Sequence, residues 1–465
     1  MNTTDMKRHN LYSYMLLILA TLLMQGCLKE QEDLFDKKPT ERLEIFHDKF
    51  KNVLESSEDG WVMDYYPQPD QSIGGVAYVV KFKDGEVTAW WENKPGQKVT
   101  SNYSFKRNSG PMLSFDTYNE FLHYYAEGRN SSSLYQGYKG DFEFRLDSIV
   151  GNDIVYMHGN RTNNAIVLHR FSGDPVEYLN KAAQNAEDII VDYFDGNYAQ
   201  TSIRGEVSPA SRRIDFTVSD ASKGTSKEIS RAYLFTDQGL RLYKPVTING
   251  KPMQDFKITT IDGGRQELQC LDNGLTDLKL AVVVPEGYCF YNEFAGTYTL
   301  LHYEINLNEP YTTTVQLVPN SDGKTYSLAG LCAEDDKWTV QLKYLKANGT
   351  LLWLGQSIGT TTEDWEIWLA PYTKKRTGTM TGTVYKDATI GFELKKSNDT
   401  DKFELLFSSY DPKGTNNVTS LRMRCYSGST NKGNPTEDMW MKYFKDDGNE
   451  YTDYSLYYLE KMTKQ

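Results

Sequence analysis

The sequence predicts a mainly β protein. A β-rich α+β unit with two helices is expected over 40–285, and a closed antiparallel β-barrel over 290–465. A two-sheet sandwich is the alternative for the second part. Three observations carry this expectation. From Trp61 onward, apolar residues alternate with a period of two along most of the chain. Turn pairs such as Asp84-Gly85 and Asn348-Gly349 separate the alternating runs. About ten short strands fall in the last ~175 residues, and a closed barrel holds so many without exposed edges.

Composition sets the outer bounds. The 465 residues include 63 acidic and 51 basic side chains, a formal balance of −12. That length suits two to four domains at roughly 100–200 residues each. Charged residues at 25% and apolar residues at 39% exclude global disorder and a polytopic membrane protein. The acidic balance excludes sequence-independent nucleic-acid binding, which needs clustered Lys and Arg. Aromatics reach 13%, with 33 Tyr, which suits β packing and also sugar stacking.

The first segment reads as an address. Lys7 and Arg8 precede an apolar stretch from Leu11 to Met24. Its length of about fourteen residues falls short of the ~20 that a spanning helix needs. It ends at Met24-Gln25-Gly26-Cys27, which resembles a bacterial lipobox, although Met24 and Gln25 replace the commoner Leu and small residue. The resemblance implies that 1–26 is a signal peptide, that Cys27 is diacylated (palmitate-type chains) and N-acylated, and that 27–39 is a lipidated tether. Several acyl chains anchor far more durably than one. Leu28 is not the Asp of inner-membrane retention. Lys29-Glu30-Gln31-Glu32-Asp33 resembles the surface-export tag of lipoproteins in glycan-foraging Gram-negative gut bacteria. The expected location is the outer membrane, facing the cell exterior, with a periplasm-facing anchor as the alternative.

Four further cysteines remain, Cys270, Cys289, Cys332 and Cys425. An even number in an oxidising compartment permits disulfides, and Cys270–Cys289 is the local pair to test. Buried free thiols are the equal alternative.

The elements follow in order. Thr40 can cap a helix to about Ser56, with Leu43, Phe46, Phe50, Val53 and Leu54 on one stripe and His47 at its edge. Strands are expected at 61–66, 75–83, 86–91, 99–106, 112–115, 119–125, 140–149, 153–158 and 164–170. Asp84-Gly85 pairs Lys83 with Glu86, Phe82 with Val87, Val80 with Ala89 and Tyr78 with Trp91. Parity then puts Trp91 on the core face and Trp90 on the other. Asp174-Pro175 opens a second helix whose apolar face runs from Val176 to Tyr193, ending at Gly196. Strands resume at 212–218, 230–236, 239–243 and 253–259, with a further pair up to Val284.

Pro285-Glu286-Gly287 marks a boundary. Beyond it, strands are expected at 297–305, 311–318, 325–329, 337–346, 350–354, 364–370, 378–386, 389–394, 402–407 and 419–426, with a closing strand around Tyr454–Tyr458. Asn348-Gly349 sets Trp353 opposite Tyr344, on the face of Val340 and Leu342. Trp365 joins Ile367 and Leu369, whereas Trp368 goes with Glu366 on the opposite face. The opening Phe294-Ala295-Gly296-Thr297-Tyr298-Thr299-Leu300 resembles the start of a lipocalin-like barrel.

The first half carries more specific text. It comprises Gly60-Trp61, Tyr65-Tyr66-Pro67 and Gly74-Gly75 before Tyr78-Val79-Val80-Lys81-Phe82. It continues with the run from Gly110 to Asn119, Leu122-His123, the run Gly140-Asp141-Phe142-Glu143-Phe144, and the run from Gly239 to Pro245. In this order these pieces resemble domain-of-unknown-function family 4302. That resemblance spans roughly 40–270. It implies a surface-type lipoprotein often encoded beside SusC/SusD-like outer-membrane uptake genes. It carries no catalytic residues over.

No motif for chemistry emerges. No G-x-S-x-G or H-E-x-x-H occurs, and no close Cys/His ligand pairs. His158 and His169 flank a turn and could approach each other across a hairpin. His123 reads as a hydrogen-bonding residue of the fold. Asp446-Asp447-Gly448-Asn449-Glu450 offers oxygen ligands without the EF-hand spacing. Catalytic residues, metal and cofactor are therefore assigned to none. Binding has better support, because Trp90 and Trp368 fall off the core faces by parity and are the candidate ligand-facing aromatics. Packing against a helix or another domain is the competing use for both. The expected function is that of a binding or accessory component of a SusC/SusD-like nutrient uptake system, taking a glycan or peptide. A structural or adhesin-like surface protein and a cryptic hydrolase are the alternatives.

Overall fold

The computed structural model describes residues 38–107, 110–128, 137–303, 309–332, 338, 340–373, 382–399, 401–435, 441–444, 450–453 and 455–465. Cys27, the signal peptide and most of the tether lie outside these residues, as does the acidic turn at 446–449. The chain divides into two compact units, 1–180 and 181–465.

In the first unit α1 (Pro39–Glu55) precedes eight strands. These are β1 (Trp61–Tyr65), β2 (Val76–Lys83), β3 (Glu86–Trp91), β4 (Lys98–Lys106), β5 (Met112–Phe115), β6 (Glu143–Val150), β7 (Ile154–Gly159) and β8 (Ala165–Arg170). They run antiparallel in sequence order, and β1 pairs back onto β8, so the ring closes. The hairpin register at Asp84-Gly85 is the expected one, with Tyr78 opposite Trp91. Both turn residues have positive φ, as a type I′ turn requires. The interior is filled by Trp61, Tyr65, Tyr78, Phe82, Trp91 and Phe115, among others. Phe50, Val53 and Leu54 of α1 join this core, each contributing about 1.5–3 kcal/mol by burial. The indole Nε1 of Trp61 donates to Leu54 O at 2.9 Å, fixing helix to ring. Gly60 has φ +98, and a Cβ there would meet Val80 O at 2.6 Å. The Gly60-Trp61 text therefore marks a close backbone approach.

Two sequence expectations change here. The helix starts at Pro39 rather than being capped by Thr40, because Pro's preset φ suits the first helical position. Residues 119–125 are turns, not a strand. Asn119 Oδ1 accepts from the N–H groups of Phe121 and Leu122 at 3.1 and 3.2 Å, closing the backbone on itself. Phe121, Leu122 and Tyr125 enter the core at helix-like spacing.

A second helix, α2 (Pro175–Asp188), is capped by Asp174, whose Oδ1 accepts from Val176 and Glu177 N–H at 2.7 and 3.1 Å. It ends at Asp188, before Gly196. The second unit then opens with β9 (Tyr193–Tyr198), β10 (Thr201–Ser208), β11 (Arg213–Asp220), β12 (Thr225–Phe235), β13 (Gly239–Ile248), β14 (Lys251–Thr260), β15 (Gln266–Cys270) and β16 (Lys279–Val283). These close a second ring through β16 and β9. Gly196 lies inside β9, where a Cβ would meet Lys279 O at 2.5 Å. The Asp195-Gly196-Asn197 text reads as a turn but marks the close contact that seals the ring.

The remaining strands are β17 (Gly296–Tyr303), β18 (Pro310–Pro319), β19 (Thr325–Ala329), β20 (Val340–Leu345), β21 (Thr350–Leu354), β22 (Gln356–Thr360), β23 (Glu366–Thr373), β24 (Thr383–Val384), β25 (Gly391–Lys396), β26 (Glu404–Tyr410), β27 (Ser420–Ser427), β28 (Thr430–Gly433), β29 (Met441–Phe444), β30 (Glu450–Asp453) and β31 (Ser455–Lys464). Strands β17 to β21, then β25, β26 and β31, form a third closed ring, with β31 pairing back onto β17. Strands β22, β23, β24, β27 and β28 form a side sheet joined through Leu421↔Leu456 and Arg422↔Ser455. Trp353, Val340, Leu342 and Tyr344 share the core as expected. The register differs by two residues: Tyr344 faces Leu351, because the loop has four residues, with Asn348 and Gly349 N–H both on Leu345 O.

His302 on β17 is 1% exposed, with Nε2 3.2 Å from Thr313 Oγ1. Burial pulls its pKa from 6.5 down to about 4. Below about pH 6.5 the unfolded chain takes a proton that the folded chain refuses until about pH 4. Stability from this residue is therefore present above 6.5 and falls as pH drops through that window, by up to about 3 kcal/mol. His302→Gln should flatten the dependence of the urea midpoint on pH between 6.5 and 4; an unchanged slope would refute the assignment.

Candidate functional site

The side sheet of the second unit has one apolar and one polar face. Ile367 and Leu369 on β23, with Leu421, Met423 and Cys425 on β27, enter the core. The alternate positions carry Glu366, Trp368, Arg422, Arg424 and Tyr426. Trp368 lies directly opposite Arg424, and Glu366 opposite Tyr426. The indole N–H of Trp368 donates to Glu366 Oε2 at 3.1 Å. Lys386 donates to the same carboxylate oxygen and to Gly428 O at 2.7 Å. Its ammonium lies 5.3 Å from the Trp368 ring centre and 5.0 Å from that of Tyr426. Hydrogen bonds from Lys386, then from Trp368, hold the Glu366 carboxyl below its usual pKa. The half-buried Trp368 ring is thus held in one orientation beside an ammonium, a carboxylate and a phenol.

Trp90 sits elsewhere. It is half-buried on the outer face of the first ring, packed against Val62, Ala77, Val79, Tyr178 and Leu179. Lys98 Nζ lies 6.0 Å from its ring centre. Parity placed Trp90 off the core face correctly, and α2 takes that face for packing. The two candidate tryptophans therefore belong to different units.

A second concavity, of about 280 Å³, opens in the 181–465 unit among Tyr288, Phe290, Tyr291, Tyr344, Asp188 and Lys346. Its hydroxyls are committed to the fold: Tyr288 donates to Lys346 O at 2.9 Å, Tyr291 to Thr325 O at 2.7 Å, and Tyr344 to Cys289 O at 2.9 Å. Lys346 is paired with Asp188. These aromatics hold 285–295 against the third ring.

The histidines are separated by register. His158 pairs with Ala165, and His169 with Ile154, so they stand at opposite ends of the β7–β8 hairpin. Each meets a carboxylate, His158 with Asp147 at 2.8 Å and His169 with Asp64 at 3.0 Å. His123 accepts from Asn119 N–H through Nδ1 at 3.2 Å and stacks on Phe142 at 4.9 Å. Among the described residues no cluster of three His, Cys, Asp or Glu could hold a metal. No described helix is long and apolar enough to cross a membrane.

The glycine-rich text of the first half resolves into a corner. Tyr65 OH donates to Asp141 O at 3.0 Å and accepts from Asp141 N–H at 2.8 Å. The Asp141 carboxylate accepts from Arg161 N–H, Thr162 N–H and the Thr162 hydroxyl. Added Cβ atoms would meet Tyr65 Oη at 2.3 Å from Gly140 and Asp141 Oδ2 at 2.0 Å from Gly159. Residues 31–260 match the family model described as a domain of unknown function, DUF4302. That match covers just under half of the chain. Within it, Gly60, Tyr65 and Gly140 make the close backbone approaches and hydrogen bonds that hold the first ring together. A second domain of unknown function, DUF4987, matches residues 271–414. No curated protein matches the chain. A crystal structure of a DUF3598-family protein of unknown function from Nostoc punctiforme aligns with 60% of this chain and 98% of its own. Its identity is 10% and its TM-score 0.13, a likeness that carries no argument.

Sequence parity placed Trp368 off the core face, as the structure has it, and did not single out its neighbours Arg422 and Arg424. The signal was present in Leu421-Arg422-Met423-Arg424-Cys425, a strand alternating two arginines with three core residues.

Cys270, Cys289, Cys332 and Cys425 are buried thiols, and Cys270 is not bridged to Cys289. Burial pushes the Cys270 thiol up to about 12 and the Cys289 thiol to about 11. Ellman's reagent on the folded Cys27→Ser chain should find none of these four thiols, and all four after unfolding in guanidinium. A count of two after unfolding would establish a disulfide instead.

Proposed function

We propose that this chain is an outer-membrane lipoprotein, anchored through Cys27 and facing the cell exterior. In this reading it binds a glycan as an accessory component of a SusC/SusD-like nutrient uptake system, without turning it over. The observation that supports binding is the fixed Trp368 ring. An aromatic face stacks on sugar C–H surfaces, while Glu366 and Lys386 beside it can exchange hydrogen bonds with hydroxyls. A ring already held by its own N–H loses little freedom on binding. The lipobox and the acidic run after Cys27 support the location. The uptake partner follows from the family resemblance, and a glycan is favoured over a peptide by the ring and its flanking charges.

Cys27→Ala should lose palmitate labelling and release the protein from the membrane fraction; retention in the membrane would refute the anchor. Protease treatment of intact cells should cleave the wild-type chain, and full protection would place it on the periplasmic side. Trp368→Ala should weaken glycan binding about tenfold by calorimetry, roughly the stacking contribution, without lowering the melting temperature. Trp90→Ala should instead lower the melting temperature and leave affinity unchanged.

A further inference from the structure

We propose that the face beside Trp368 is an oxyanion site, so that the glycan it takes is acidic, carrying carboxylate or sulfate groups. This rests on the reading of that face as glycan-binding. Arg422 and Arg424 lie two residues apart on β27 and so project to the same side. Arg422 stands between Ala370 on β23 and Ser455 on β31, and Arg424 stands opposite Trp368. The two guanidiniums are thus neighbours on one patch, with Ser455 and the indole at its borders.

Their hydrogen-bonding state is the unusual feature. The Nε atoms of Arg422 and Arg424 and the hydroxyl of Ser455 are each shielded from water, with no hydrogen-bond partner among the described residues. Ser455 itself is 3% exposed. Among the described residues neither arginine meets a carboxylate. Arg424 Nη1 donates to Asn434 Oδ1 at 2.8 Å. The acid on this face, Glu366, is already held by Lys386 and Trp368. Arginines elsewhere find acids readily, as Arg241 does with Asp255, Arg107 with Glu44 and Arg204 with Glu206. In a chain of net charge −12, a pair left without one is not explained by a shortage of carboxylates.

Shielded donors without acceptors cost folding free energy, and so do two like charges side by side. Burial first, then the Arg422 charge, pulls the Arg424 pKa below its ordinary value. A negatively charged group placed against the two guanidiniums would offset their repulsion. A guanidinium fork matches the spacing of carboxylate or sulfate oxygens. The surroundings suit a sugar acid better than a bare ion. Arg422 lies 5.9 Å from the Tyr372 ring centre, and Tyr372 meets Tyr457 edge to face at 6.3 Å. Phenol rings therefore wall the charged pair, and the Trp368 ring adjoins it.

The test is calorimetry on the full chain with three probes: tetragalacturonate, a chondroitin sulfate tetrasaccharide and neutral maltotetraose. The acidic probes should bind at least about tenfold more tightly than the neutral one, a typical gain for charge-assisted pairs. Arg422→Gln and Arg424→Gln should each remove that preference. The tighter of the two acidic probes identifies the group as carboxylate or sulfate. Arg422→Met should hold or raise the melting temperature, since an unpaired shielded charge is a stability liability. A clear fall in melting temperature for Arg422→Met would make the pair structural and overturn the proposal. Equal binding of all three probes, unchanged in the Arg variants, would overturn the oxyanion site and leave the glycan reading standing. Binding of none would overturn both.

Discussion

The second unit depends on one strand that bends. The first part of β31 pairs with β27 through Ser455 and Leu456, and its last part pairs with both β17 and β26. A single straight strand cannot serve the side sheet and the ring together. The change from β27 to β26 falls between Leu456 and Lys461, a stretch that holds Tyr458, whose φ of +49 is unusual for a residue with a side chain. Such a conformation costs of order 1–3 kcal/mol and persists only where neighbours enforce it. Here Tyr458 N–H donates to Ser420 Oγ at 3.1 Å and Leu459 N–H to Thr419 O at 3.2 Å, both on or beside β27. Met462 and Leu459, just past the bend, are buried in the ring's core. The bend therefore closes the ring and hangs the side sheet from it.

Closure decides where a ligand can go. Eight strands give an interior just wide enough for side chains. All three rings fill theirs, the first with Trp61 and Tyr78, the second with Phe194 and Phe256, the third with Trp353 and Phe392. The third ring is lipocalin-like in its eight antiparallel strands and its closure by the last strand, but its interior is packed. The filled rings leave outer faces and attachments as the surfaces open to other molecules. The outer face of the first ring at Trp90 is taken by α2. The side sheet has an inner face in the core and an outer face with fixed, charged and aromatic groups.

Much of this was legible, for identifiable reasons. Asp84-Gly85 fixed a register because a two-residue turn leaves no freedom in pairing. Asn348-Gly349 left two residues of freedom, because the same text also serves a four-residue loop. An even slip preserves the face, so Trp353 was placed correctly with the wrong partner. Strands β9 and β10 escaped because Gly196 looks like punctuation until Lys279 O is seen against it. Trp368 was found by parity. Arg422 and Arg424 were not, since no spacing rule says which surface arginines lack a carboxylate; that is a property of which strands become neighbours.

Attachment also explains how such a patch can persist. The side sheet joins the ring along the short run from Ser455 to Leu459, and the ring's own ladder does not pass through β23 or β27. Unpaired charge on the outer face is thus borne by strands whose inner residues, Ile367, Leu369, Leu421 and Met423, are fully buried. Each such residue contributes about 1.5–3 kcal/mol on burial, enough together to offset a few unmet donors. The division of labour follows from geometry: the rings supply stability, and the face of the sheet beside the bend at Tyr458 is free to hold chemistry that a closed, filled barrel has no room for.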